Sequence, residues 1–142
     1  MKLADILDAK GWGSVTADES VDVATVVRIM CDNHVGAAVI LGHNGGIVGI
    51  VTERDILRQF SERAAVLAEL DVRSVMSRKV ETATPDTPTQ EALQRMTANR
   101  FRHLPVVDGD KLLGVVSIGD LVKSMLREKE QESEALREYI SH

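Results

Sequence analysis

The chain has 142 residues, 44% of them hydrophobic and 27% charged, with a formal net charge of -5. A polypeptide of this size and balance buries roughly two thirds of its unfolded surface, enough for a core of its own. Acidity and an aromatic content of 3% argue against a nucleic-acid partner, which calls for a basic stripe and stacking rings, and no aliphatic run approaches the ~20 residues that cross a membrane.

Residues 2–9 predict a short helix with Leu3, Ile6 and Leu7 on one face, ended by Gly11 and Gly13 around Trp12. Acidic residues stand where a secretory signal would carry its apolar core, so the chain is expected in the cytoplasm. Trp12 is expected to pack under this helix. A strand starting near 14–16, a helix over 22–33, strands over 37–41 and 47–51 and a helix opening at Thr52 then make a β-α-β-β-α unit.

Residues 71–76 take the part that residues 2–9 took, and the order returns. A strand is predicted over 80–82. The next helix has Thr87 as its capping hydroxyl, Pro88 at the first helical position and Gln90 three residues after the cap. Hairpin strands follow over 103–107 and 111–116, and Ser117 opens the last paired helix. After 126 a charged run continues as a helix in which Leu136, Tyr139 and Ile140 share one face, with its end expected to dock on the body or on a second subunit. This divides the chain into a first unit over 1–70 that includes the N-terminal helix, a second over 71–126, and a helical tail over 127–142.

The two units are copies. Met96 lies 66 positions after Met30, and Gly114 lies 65 after Gly49; internal repetition fixes architecture before any other signal. The one-position slip falls in a hairpin turn, where His43-Asn44-Gly45-Gly46 is one residue longer than Asp108-Gly109-Asp110. Val23, Val26, Val27 and Met30 match Thr89, Ala92, Leu93 and Met96, each set at the i, i+3, i+4, i+7 spacing of one helix face.

Each copy carries the same strand-to-helix corner, Gly49-Ile50-Val51-Thr52-Glu53-Arg54-Asp55 and Gly114-Val115-Val116-Ser117-Ile118-Gly119-Asp120. A hydroxyl followed three residues on by a carboxylate fits a capping box, in which both groups satisfy backbone donors of the first turn. The same pair, preceded by a glycine that lets a ligand approach the strand, also fits a binding site: a carboxylate accepts two hydrogen bonds from a cis-diol, and helix-opening N–H groups suit an anion. Both readings stay open on the residues alone.

Cys31 is the only cysteine, so no internal disulfide or multi-cysteine zinc site can form, and it is expected to pack in or near the core. His34, His43 and His142 lack ligand spacing and read as surface or turn residues, with no metal site. No nucleophile-base pair or paired carboxylates point to an enzyme.

With the repeated unit, the two corners and the strand Arg102-His103-Leu104-Pro105-Val106, the chain resembles a tandem pair of CBS domains of the bacterial stand-alone type, the Bateman module. The resemblance covers all but the tail and a few N-terminal residues. It implies an α/β fold of two β-α-β-β-α repeats packed by pseudo-twofold symmetry, with two clefts for adenosine derivatives. It implies Asp55 and Asp120 as ribose ligands, Thr52 and Ser117 near phosphate, Gly49 and Gly114 beside the ligand, and Arg54, Arg102 and His103 as phosphate-side candidates. Arg100 reads as a solvated helix end, and His103 equally well as a packed strand residue. Positive charge differs between the copies, so the clefts should not be equivalent.

The expected role is then a sensor for AMP or another adenine nucleotide, or for NAD(H) across two unequal sites, transmitting occupancy to a downstream protein, with a homodimer as the expected assembly. A dimerisation scaffold with empty clefts is the alternative. Which adenosine compound binds, S-adenosylmethionine included, is not written in the sequence.

Overall fold

A computed structural model describes residues 1–63 and 66–141; His142 lies outside the described residues. The elements are α1 (Leu3–Lys10), β1 (Thr16–Asp18), α2 (Val23–Asp32), β2 (Ala37–Leu41), β3 (Ile47–Thr52), α3 (Glu53–Arg63), short 3-10 turns at Leu67–Glu69 and Val72–Ser74, α4 (Thr89–Asn99), β4 (His103–Asp108), β5 (Lys111–Ser117) and α5 (Ile118–Ser141).

The first repeat forms a three-stranded sheet in the order β1-β2-β3, with β1 parallel to β2 and β2 antiparallel to β3. In the second repeat β4 and β5 form the hairpin. The strand expected over 80–82 does not form there; only the parallel bridge Ala83↔Val106 stands where β1 stands in the first copy. Two backbone hydrogen bonds hold that bridge, Ala83 N–H to Pro105 O at 2.9 Å and Val107 N–H to Ala83 O at 2.8 Å. The segment Glu81–Thr84 is too short and polar to extend the ladder beyond one residue.

The paired helices bury the stripes expected of them, with Val23, Val26 and Met30 under α2 and Thr89, Ala92 and Met96 under α4. Asp22 caps α2 through the amide of Thr25. The cap expected of Thr87 for α4 is not made: Pro88 stands at the cap with no side-chain bond, and Thr87 Oγ1 instead accepts from the amide of Thr84 at 3.1 Å. α4 ends in a left-handed residue that is not glycine, Arg100 with φ 57°, and the matched residue of the first repeat, His34 with φ 54°, stands one position beyond the Asn33 cap of α2.

The lead-in segments cross over. Leu3, Ile6 and Leu7 of α1 pack with Ala83, Ala92, Met96, Leu104, Val106, Val116 and Leu121 of the second repeat, whereas Val72 and Met76, which precede the second repeat, pack with Ala17, Val26, Met30, Ala38, Ile40 and Val51 of the first. Backbone bonds repeat the exchange in matched pairs. Thr89 N–H donates to Met1 O (3.0 Å) as Val23 N–H does to Leu70 O (2.9 Å), and Leu3 N–H donates to Thr87 O (3.0 Å) as Val72 N–H does to Val21 O (3.3 Å). Grouping the N-terminal helix with residues 1–70 is therefore corrected: its apolar face completes the core of the other half.

Three exposure expectations are also corrected. Cys31 is exposed, because it faces away from the Val23-Val26-Met30 stripe. Trp12 is 46% exposed and hydrogen-bonds Asp8 Oδ1 through Nε1 at 2.8 Å instead of packing under α1. The tail continues as one helix with α5; of its two expected docking places the body is excluded, because Leu136, Tyr139 and Ile140 are exposed, which leaves the second subunit.

Candidate functional site

The two corners fold alike because a hydrophobic strand in each copy delivers a hydroxyl and an acid to the start of a helix whose first amides lack intrahelical partners. Thr52 N–H and Thr52 Oγ1 both donate to Asp55 Oδ2, at 2.9 and 3.1 Å, and Asp55 N–H donates back to Thr52 Oγ1 at 3.4 Å. In the second copy Ser117 N–H donates to Asp120 Oδ2 at 2.8 Å, and Asp120 N–H donates to Ser117 Oγ at 3.1 Å. The capping box is thus realised in both corners. Each box engages Oδ2 alone; among the described residues, no side-chain hydrogen bond reaches Oδ1 of either acid. All four side chains are half-buried.

The corners differ in what surrounds the acid. Lys10, the last residue of α1, donates from Nζ to Asp120 Oδ2 at 2.7 Å and to Val115 O at 2.8 Å. Burial works to raise the pKa of Asp120, but the hydrogen bonds from Lys10 and Ser117 and the ammonium charge outweigh it and hold the carboxyl below its usual value. Asp55 has no such ion pair among the described residues. Lys10 was not singled out by the sequence; its only local signal is a basic residue closing a helix.

Gly49 and Gly114 have a role different from the one expected of them. A Cβ on Gly49 would stand 2.5 Å from Met76 Sδ and 3.0 Å from Ser77 O, and one on Gly114 would stand 2.8 Å from Leu7 Cδ2. The space beside each glycine is filled by the crossing lead-in segment of the other repeat, so close packing, not ligand approach, excludes a side chain there.

Of the phosphate-side candidates, Arg54 and Arg102 are exposed. His103 is the residue that reaches both corners. It begins β4 opposite Ser117, and a Cβ on Gly36 would lie 3.5 Å from its Nε2 and 3.2 Å from Glu53 Oε1. Its Nδ1 is buried and without a hydrogen-bond partner among the described residues. Burial lowers its pKa, Lys10 and Arg102 add to that, and Glu53 and Asp120 oppose it. Arg100 is an exposed helix end, as read from the sequence. Among the described residues, no group of three His, Cys, Asp or Glu could hold a metal ion, and no helix is long and apolar enough to cross a membrane.

The family described as CBS domain matches residues 13–62 and again residues 72–127. The chain belongs to the CBS domain family. Its two CBS domains coincide with the two repeats; the first match begins after the lead-in helix α1, and the second begins at Val72, within its own lead-in segment. A mitochondrial CBS domain-containing protein of Arabidopsis thaliana is 35% identical, over 97% of this chain and 71% of that protein. A putative signal-transduction protein with CBS domains from Burkholderia ambifaria has a solved structure that superposes with TM-score 0.84 at 36% identity, covering 89% of this chain and 95% of that one. A CBS domain protein from Pyrobaculum aerophilum, solved complexed with AMP, superposes with TM-score 0.75 at 27% identity over 84% of this chain and 89% of its own.

Proposed function

We propose that this CBS pair is a sensor module, not an enzyme, that binds AMP or a related adenine nucleotide and turns occupancy into a change of shape or partner affinity. The carrying observation is the AMP complex of the Pyrobaculum relative, set beside two corners in which a half-buried aspartate engages only Oδ2. A ribose diol can approach Oδ1 while the helix cap stays in place, so capping and binding are compatible.

Thr52 and Ser117, with the first amides of α3 and α5, supply donors on the phosphate side, with Arg54 and Arg102 as the nearby cations and His103 as a neutral ring beside them. Because Lys10 engages Asp120 and, among the described residues, nothing equivalent engages Asp55, the two clefts take ligand with unequal affinity, and a dinucleotide such as NAD(H) bridging them is a narrower form of the same reading. A cytoplasmic setting, a homodimer and an unidentified downstream protein complete it. Exposed Leu57 and Phe60 on α3, with Val122 and Leu126 on α5, give the dimer an apolar face to cover.

Asp55 and Asp120 both turned onto backbone amides favour a second reading, a dimerisation scaffold with empty clefts. Titration calorimetry with AMP, ATP, NAD and S-adenosylmethionine separates the two. Binding that weakens in Asp55→Asn or Asp120→Asn at unchanged melting temperature supports the sensor; no heat with any of these compounds, and no excess absorbance at 260 nm in the purified protein, leaves the scaffold.

A further inference from the structure

α5 is 24 residues long, about 36 Å at 1.5 Å per residue, and only its first part is held by the body. From residue 129 to residue 141 every side chain is exposed. A helical segment of this length with no packing is marginal in water, and it carries large apolar side chains, Leu136 at 61% and Ile140 at 75% exposure, that continue from Leu126 at 60% just before it.

These residues are regularly spaced. Val122, Leu126, Lys129, Ser133, Leu136 and Ile140 follow one another at intervals of four, three, four, three and four, which is the heptad seam of a coiled coil. The flanking charges choose the orientation. In a parallel, in-register pair, the residue before one seam position faces the residue five further along the partner helix, which sets Glu132 against Arg137 twice by symmetry. An antiparallel pair with its seam in register instead brings Glu130 against Glu130 and Glu132 against Glu132, four like charges in two contacts. The antiparallel pair also sets Lys123 against Arg137 twice, whereas the parallel pair has one like-charge layer, Lys129 against Lys129 at the centre of the seam, which costs stability.

We propose that a second copy of this chain seats on the outer part of α5 as a parallel, in-register coiled coil, with Leu126, Leu136 and Ile140 in the seam and Glu132 of each copy paired with Arg137 of the other. The two tails then run side by side along the dimer axis.

The test uses the full chain with Cys31→Ser, so that only introduced thiols react. Leu136→Cys, in the seam and next to the twofold axis, should cross-link to itself under mild oxidation, while Glu134→Cys on the outer face should not. Glu132→Lys should weaken dimerisation in sedimentation equilibrium by about fivefold or more, and adding Arg137→Glu should restore it. Loss of the Leu136 cross-link, equal cross-linking at Glu134, or indifference to both charge changes overturns the coiled coil while leaving a dimer through the body intact; a monomeric chain at tens of micromolar overturns both.

Discussion

Lys10 Nζ stands 2.7 Å from Asp120 Oδ2, across 110 positions of sequence. One contact thereby ties the end of the first helix to the acid of the second corner and adds to the charge difference that Glu53 and Arg54 already make between the corners.

Lys10→Met should change stability at neutral pH by no more than about 1 kcal/mol, since Lys10 is 42% and Asp120 25% exposed in the pair. Its clearer effect lies in acid. Because Asp120 is held below 3.8 in the folded protein, its contribution is full above that value and is lost as pH falls through the lower folded value. Without Lys10, burial is opposed only by the Ser117 bonds, so urea unfolding measured between about pH 5 and 3 should show a shallower loss for the variant than for the parent.

His103 gives the opposite end of the pH range. Its folded pKa is lowered from 6.5 by burial, so folding favours the neutral ring. That contribution is present above 6.5 and is lost as pH falls from there toward the folded value, because the unfolded chain takes up the proton first. Melting temperature should decline from pH 7 to 5, and His103→Leu should flatten that decline; an unchanged slope would mean that the other histidines or the carboxylates set it.

Gly114→Ala should destabilise the protein by roughly 1 to 3 kcal/mol through overpacking against Leu7. Leu7→Ala alone should cost about 2 to 5 kcal/mol, as Leu7 is fully buried. The double variant should cost less than the sum of the two, and chemical denaturation of all four proteins measures that coupling. Gly49→Ala should be the harsher of the two glycine changes, because the backbone oxygen of Ser77 as well as the flexible Met76 stands in the way.

Arg100→Gly should stabilise the protein by about 0.5 kcal/mol, since relief of the left-handed strain exceeds the entropy that glycine adds to the unfolded chain. Arg100 is exposed and makes no contact that glycine would forfeit among the described hydrogen bonds. Thermal denaturation under matched conditions reads the sign directly.

What the sequence made legible was local. The Val23-Val26-Met30 and Thr89-Ala92-Met96 stripes, both hairpins and both hydroxyl-acid corners follow from residues within one or two turns of each other, where periodicity and capping chemistry act. The missed features depend on partners far along the chain. Leu7 lies against Gly114 and Met76 against Gly49, so those glycines looked like openings in the strand until the crossing segments were in place. Lys10 closes a helix with nothing nearby to mark its bond to Asp120. Thr87 had every mark of a cap, yet the competing amide of Thr84 took its oxygen.

The exchange of lead-in segments has a consequence for how the chain can be cut. Each half borrows part of its interior from the other, in the manner of two identical subunits that have traded arms and then been spliced end to end. A fragment holding only one repeat would expose the seat left by Leu3 and Leu7, or by Val72 and Met76. It should therefore stay soluble only by pairing with a second fragment that offers the missing arm, and the tandem chain should unfold in a single transition.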